Sequence, residues 1–266
     1  MRILILLLLS TVVLISCQKV IDINPSTGEE KVIIQGNLFT DSIATVVVTK
    51  STAFLSTTTP QSIATASVIL SDNIGNTEIM VWNPTFSRYE SATLKGVVNS
   101  VYTLNVTLDG KTYKSSSKII GLDPVDSISF RKVDAGGFRE EGYYMDLYAS
   151  IPTNIDKFYI FKGYADGVIL DEPTEINLVD NRLISSNSNS FDAGYKYEAN
   201  ELAKLEVYSL TEAAYKFYEA ARLQLNNDGG FFSTPPANVP SMFDNGAIGL
   251  FQCSDVNSLT KTVVEQ

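Results

Sequence analysis

The chain contains no histidine. That absence removes serine–histidine and cysteine–histidine hydrolases, zinc sites built on imidazole, and histidine-ligated haem in one step. Cysteine is almost as scarce, with Cys17 and Cys253 the only two in 266 residues. Such a chain cannot carry the disulfide framework of a small secreted domain, so its stability has to come from apolar cores. Cys253, within Leu250-Phe251-Gln252-Cys253, reads as a small buried hydrophobe. Basic residues are in deficit, 20 against 30 acidic, for a formal charge of −10. A surface of that sign repels polyanions and argues against nucleic acid as a partner.

What is present is concentrated first at the amino end. Met1 and a single basic Arg2 precede an unbroken apolar run from Ile3 to Leu9, and the segment closes as Leu14-Ile15-Ser16-Cys17. A charged start, a short apolar stretch and a small residue before the cut make a secretory signal, too short for a persuasive membrane-spanning helix. Apolar Leu14 and Ile15, small Ser16 and then cysteine resemble the lipobox of bacterial lipoproteins. That resemblance implies signal cleavage between Ser16 and Cys17 and lipidation of Cys17. Each buried methylene contributes about 0.8 kcal/mol, so several acyl chains hold a protein to a membrane effectively permanently. With Cys17 acylated, only Cys253 remains and no intramolecular disulfide is available. Loss of Arg2 with the signal deepens the negative charge by one.

Residues 17–30 are polar and broken by Pro25 and Gly28, and read as a flexible tether. From 31 to 120, short β-rich runs separated by turn residues predict a sandwich, with strands over 32–39, 44–50, 66–70, 78–82 and 101–108. Asp109-Gly110 supplies the φ > 0 residues of a tight hairpin into 111–118. Pro124 in Gly121-Leu-Asp-Pro marks a boundary, since it forces Asp123 towards an extended conformation. A second, β-rich domain then spans 125–266, with strands over 126–130, 143–150, 157–163 and 202–208 and a Ser/Asn-rich loop near 185–190. One amphipathic helix near 210–226 is predicted to open on a capping box of Ser209 and Glu212 and to stop at Asn226 to Gly230. Asn245 to Phe251 reads as a terminal strand with backbone-close glycines. The fold class is therefore mainly β.

Several of these segments in order resemble a known family. They are a cysteine followed by Lys19 and Asp22, Val32-Ile-Ile-Gln-Gly36, Tyr102-Thr-Leu104, Tyr208-Ser-Leu-Thr-Glu-Ala-Ala-Tyr215-Lys-Phe-Tyr218, the Phe-rich stretch from Phe231, and Gly246-Ala-Ile-Gly-Leu-Phe251. Together they resemble the Bacteroidota outer-membrane lipoproteins grouped as domain of unknown function 4249. The resemblance implies an immunoglobulin-like N-terminal sandwich, a second β-rich domain, and a gene neighbour encoding a TonB-dependent transporter. It brings no established reaction. The chain departs from the usual pattern at Ser241-Met242-Phe243, where relatives commonly carry an Asn-Ile pair.

No constellation here declares an enzyme, a cofactor or a metal centre. Asp72 to Asn76 and Asn226 to Gly229 hold oxygen donors but lack the alternating acidic spacing of a calcium loop, and both are explained as turns. Glu140-Glu141 and Asp171-Glu172 read as solvated acidic loops rather than facing acid and base. Asp41-Ser42-Ile43 and Asp126-Ser127-Ile128 resemble Bacteroidota O-glycosylation acceptors, which makes Ser42 and Ser127 candidates for modification. Trp82, Tyr143, Tyr144 and Tyr164 are candidate exposed aromatics. The expected role is a non-enzymatic binding or accessory subunit of a TonB-dependent nutrient transporter, anchored in the outer membrane through acyl chains and facing either the surface or the periplasm. The alternative is a structural or adhesive envelope protein.

Overall fold

Along Val32–Phe39 (β1), Val32, Ile34, Gly36 and Leu38 turn inward while the residues between them stay partly exposed. This two-residue period is the pleat of a strand with one face on a core. The structure, a computed structural model, describes residues 29–53, 56–137, 139–150, 155–172, 175–183, 190–227 and 238–265. The same alternation runs through Ile43–Lys50 (β2), Ser67–Asp72 (β3), Val101–Leu108 (β7) and Lys111–Lys118 (β8), and the shorter or less regular strands Thr77–Ile79 (β4), Val81–Asn83 (β5) and Arg88–Lys95 (β6) lie between β3 and β7 in the chain. β7 and β8 form the expected hairpin, with Asp109 at φ 50° and Gly110 at φ 79°.

These strands make two sheets, one ordered β5-β6-β2-β1 and the other β4-β3-β7-β8. Ile34, Leu38, Val46, Val48, Val68, Leu70, Leu104 and Val106 are fully buried between them. The run expected as one strand over 78–82 is divided at Met80. β4 pairs with β3 in one sheet, β5 pairs with β6 in the other, and buried Met80 makes the crossing.

The chain continues through Val125–Val133 (β9), Gly142–Ala149 (β10), Phe158–Ala165 (β11), Val168–Ile169 (β12), Asn177–Asp180 (β13), Ser190–Tyr197 (β14), Leu202–Leu210 (β15), the helix Glu212–Leu225 (α1), Ile248–Ser254 (β16) and Val256–Thr262 (β17). A three-stranded sheet β14-β10-β9 faces a sheet ordered β12-β11-β15-β17, with β13 also on β11. Met145, Leu147, Phe161, Tyr195, Tyr197, Leu205 and Val207 fill the space between. The other side of β11 and β15 carries Phe158, Ile160, Tyr208 and Leu210, covered by Ala214 and Tyr215 of α1 and by Leu250.

Two local expectations are corrected. The helix is capped by Thr211, whose hydroxyl accepts from the Ala214 amide at 3.2 Å. Ser209 lies two residues earlier, buried in β15 and bonded to Asp255, so it is not free to cap. Glu212 then occupies the first helical position and pairs with Lys216 one turn on, at 2.7 Å. Asn226 closes the helix as expected. The Ser/Asn-rich loop lies mostly outside the described residues, as do Asp228 to Gly230 and the Phe-rich stretch from Phe231.

The second correction concerns β16. Read from sequence as the terminal strand of the second domain, it adds in parallel to β1, from Ile33↔Ile248 to Phe39↔Ser254. Phe251 and Cys253 enter the first core while Leu250 on the opposite face enters the helix cluster, so the strand is buried on both sides. Two glycines permit this approach. A Cβ at Gly36 would lie 2.8 Å from the Phe251 ring, and a Cβ at Gly249 would collide with the Ile34 carbonyl. Asp255, in the turn after β16, accepts from the Thr40 hydroxyl at 2.7 Å and the Leu122 amide at 2.9 Å. It thereby ties the end of β1 to the segment leading into β9.

Candidate ligand cleft

One edge of β11 is incompletely covered. β13 pairs with Phe158 to Phe161 and β12 pairs with Tyr164 and Ala165, leaving Lys162 and Gly163 without a strand neighbour there. The chain between β12 and β13 supplies replacements. The Leu170 amide donates to the Gly163 carbonyl at 2.9 Å, and the Gly163 amide donates to Asp171 Oδ2 at 3.3 Å. A carboxylate thus stands where a paired strand would offer a carbonyl, and a cleft of about 530 Å³ opens beside it.

The facing wall is a bulge in β14. Tyr144 pairs with Lys196 and Asp146 with Asp192, so Ala193, Gly194 and Tyr195 stand opposite Met145 alone. Gly194 has φ +84°, a conformation that residues with a Cβ adopt only at a cost. Asp192 accepts from its amide at 2.9 Å, and Asn177 Nδ2 donates to the Ala193 carbonyl at 2.8 Å. Bulges commonly re-aim a side chain. Here Tyr195 lies flat on Gly163, where a Cβ would sit 2.5 Å from the ring. The Tyr195 hydroxyl lies 2.7 Å from Asp171 Oδ1 and 3.0 Å from the Phe161 carbonyl, and donates to one of them at a time.

Burial pushes the Asp171 carboxyl above its ordinary range; bonds from Tyr195 and Gly163 and the charge of Lys162 offset this in part, while Glu175 adds to it. Burial, reinforced by Asp171, also pushes the Tyr195 phenol well up, so it acts as a neutral donor at all physiological pH values. The remaining wall consists of Leu170, Glu175, Ile176, Asn177, Lys196, and Arg222 and Asn226 from the end of α1. Arg222 occupies the last helical turn, where the exposed carbonyl end of the helix favours a cation. The cleft therefore offers carboxylate acceptors, a guanidinium donor and two aliphatic side chains to one bound molecule.

Of the residues singled out from sequence, Asp171 and Asn226 enter this cleft. Glu172, beside Asp171, is exposed, as are Glu140 and Glu141, and Glu140 pairs with Lys196 at 2.9 Å. Asp72 spends its carboxylate on the Ile74 and Asn76 amides, closing the turn from within. Ser42 is exposed in the turn after β1 and Ser127 is exposed on β9. Tyr143, a candidate exposed aromatic from sequence, is core instead, because it lies on the inward face of β10. Trp82 is partly buried, 5.1 Å edge-on from Tyr89. Tyr144 is half-buried, with Arg131 and Arg139 over its ring at 5.7 and 5.0 Å. Tyr164 is half-buried and donates to Glu206 at 2.9 Å, and burial together with Glu206 pushes its phenol up to about 12. Ser16 and Cys17 lie outside the described residues. Tyr195, Glu175, Asn177 and Arg222 were not found from sequence. The available signal was Gly194 inside the alternating run Ser190 to Tyr197, since a lone glycine in a strand pattern marks a bulge.

The family model described as Domain of unknown function (DUF4249) matches residues 18–260. The chain belongs to this family. No curated protein matches it. The matched span takes in α1, β16 and every residue of the cleft.

Proposed function

We propose that this DUF4249 protein is a lipoprotein of the outer membrane, held through acylated Cys17, and that it serves as a non-enzymatic binding or accessory subunit of a TonB-dependent nutrient transporter. The observation that carries the reading is Leu14-Ile15-Ser16-Cys17 behind a short apolar signal, which supports export and anchoring. The cleft supports the binding part, because small-molecule sites are concavities of roughly 300–1,000 Å³ with a few converging polar groups. The transporter partner rests on the family resemblance. Ser42 and Ser127, both exposed, are the candidate glycan acceptors in this reading.

Metabolic labelling with a palmitate analogue, followed by gentle detergent extraction, tests the proposal. The wild-type chain is expected to carry label and to enrich an outer-membrane transporter, whereas Cys17→Ala loses the label and leaves the membrane fraction. An unlabelled wild-type chain in the aqueous fraction would overturn the anchoring. A labelled chain that repeatedly emerges alone would overturn the transporter role and favour the structural or adhesive alternative.

A further inference from the structure

We propose that the cleft beside α1 takes a small zwitterion, in the class of a free amino acid or a short unblocked peptide; this rests on the reading of that cleft as a ligand site. Three charged side chains on its wall, Asp171, Glu175 and Arg222, have no ion-pair partner among the described residues. Lys196 differs, being paired with Glu140 at 2.9 Å and Glu198 at 3.5 Å.

The signs of these charges choose between ligand classes. Asp171 and Glu175 repel one another, which helps to raise the Asp171 carboxyl, and a bound cation relieves that repulsion. A simple cation, however, meets Arg222 on the same wall, and a simple anion meets the two carboxylates. A neutral polyol can hydrogen-bond to all three but neutralises none. A solute with an ammonium group at one end and a carboxylate at the other satisfies both signs through charge-assisted hydrogen bonds, which are roughly twice as strong as neutral ones.

Asp171 is also held in place before any ligand arrives. Tyr195 and the Gly163 amide each fix one carboxylate oxygen, leaving further lone pairs free, so little ordering remains to be done on binding. Leu170 and Ile176 provide an aliphatic surface for the part of the molecule between its charged ends.

The test is calorimetric titration of the purified full chain in detergent with trialanine, N-acetyl-trialanine, trialanine amide, maltose and putrescine. Trialanine is expected to saturate, with acetylation and amidation each weakening binding by about tenfold or more. Glu175→Gln should blunt the effect of acetylation and Arg222→Gln that of amidation. Glu175 is exposed and Arg222 half-buried at a helix end, so neither change threatens the fold. Equal binding of blocked and unblocked peptides would overturn the proposal. Preferred binding of maltose or putrescine over trialanine would overturn the ligand class while leaving a ligand cleft. Saturation by none of the probes would overturn the cleft as a ligand site, and neither of these last results bears on anchoring through Cys17.

Discussion

Gly36 and Phe251 are register partners on β1 and β16, and their fit predicts a measurable coupling. Phe251 is fully buried, so Phe251→Ala should cost about 3–5 kcal/mol through lost burial and the cavity left behind. Gly36→Ala places a methyl 2.8 Å from Phe251 Cδ2 and 2.9 Å from Leu104 Cδ2, closer than real contacts allow. Overpacking of this kind costs roughly 1–3 kcal/mol, against a gain of about 0.4–1 kcal/mol from a stiffer unfolded chain. The net penalty is about 1–2 kcal/mol in the wild-type background. With the ring removed, only the movable Leu104 methyl opposes the new Cβ, and Gly36→Ala should become nearly neutral. The pair should therefore couple by about 1–2 kcal/mol. Urea unfolding followed by fluorescence of Trp82, the single tryptophan, which packs against this core, together with far-ultraviolet circular dichroism, measures all four corners. Phe251→Leu replaces Phe251→Ala if the truncated protein fails to fold. Equal penalties for Gly36→Ala in both backgrounds, within about 0.5 kcal/mol, would refute the argument that the glycine exists to admit the ring.

Asp255→Ala should cost about 2–3 kcal/mol, since it strips acceptors from the Thr40 hydroxyl and the Leu122 and Val256 amides, and should lower the thermal midpoint by roughly 5–10 °C; an unchanged midpoint would show that water replaces the carboxylate freely. Asp192 gives a pH dependence. Burial opposes its ionisation, but the Gly194 amide, Arg139 and Arg131 together hold the carboxyl below its ordinary value of 3.8. A depressed value in the folded state means the stabilisation is present above about pH 4 and lost as pH falls through the lower folded value. Thermal midpoints of the wild type should therefore fall more steeply below pH 4 than those of Asp192→Asn, and parallel profiles would assign the acid sensitivity to other carboxylates.

β1, β2, β3 and β7 were legible because each carries its own alternation, and the β7–β8 hairpin because Asp109-Gly110 names its turn. β6, β13, β14 and β17 were not legible. β6 reads as Arg88-Tyr-Glu-Ser-Ala-Thr-Leu-Lys95, with small and polar residues where a core face would be expected, and only Tyr89 and Ser91 are buried. β14 has its alternation broken by Gly194, the residue that makes the bulge. The helix was legible in extent, yet its cap was misplaced because Ser209 and Thr211 are both competent caps by composition. Burial of Ser209 in β15 decided between them.

By itself the sequence determined the mainly β character, the one helix among the described residues and the membership of the chain in DUF4249, since each is written in local periodicity or in an ordered series of short segments. Tertiary structure alone decided that β16 returns to β1, that Gly36 faces Phe251, and that Asp171, Glu175, Tyr195 and Arg222 share one cleft. Strand pairing and bulges bring together residues far apart in the chain, and a pattern with a period of two or 3.6 residues carries no record of which distant strand it will meet.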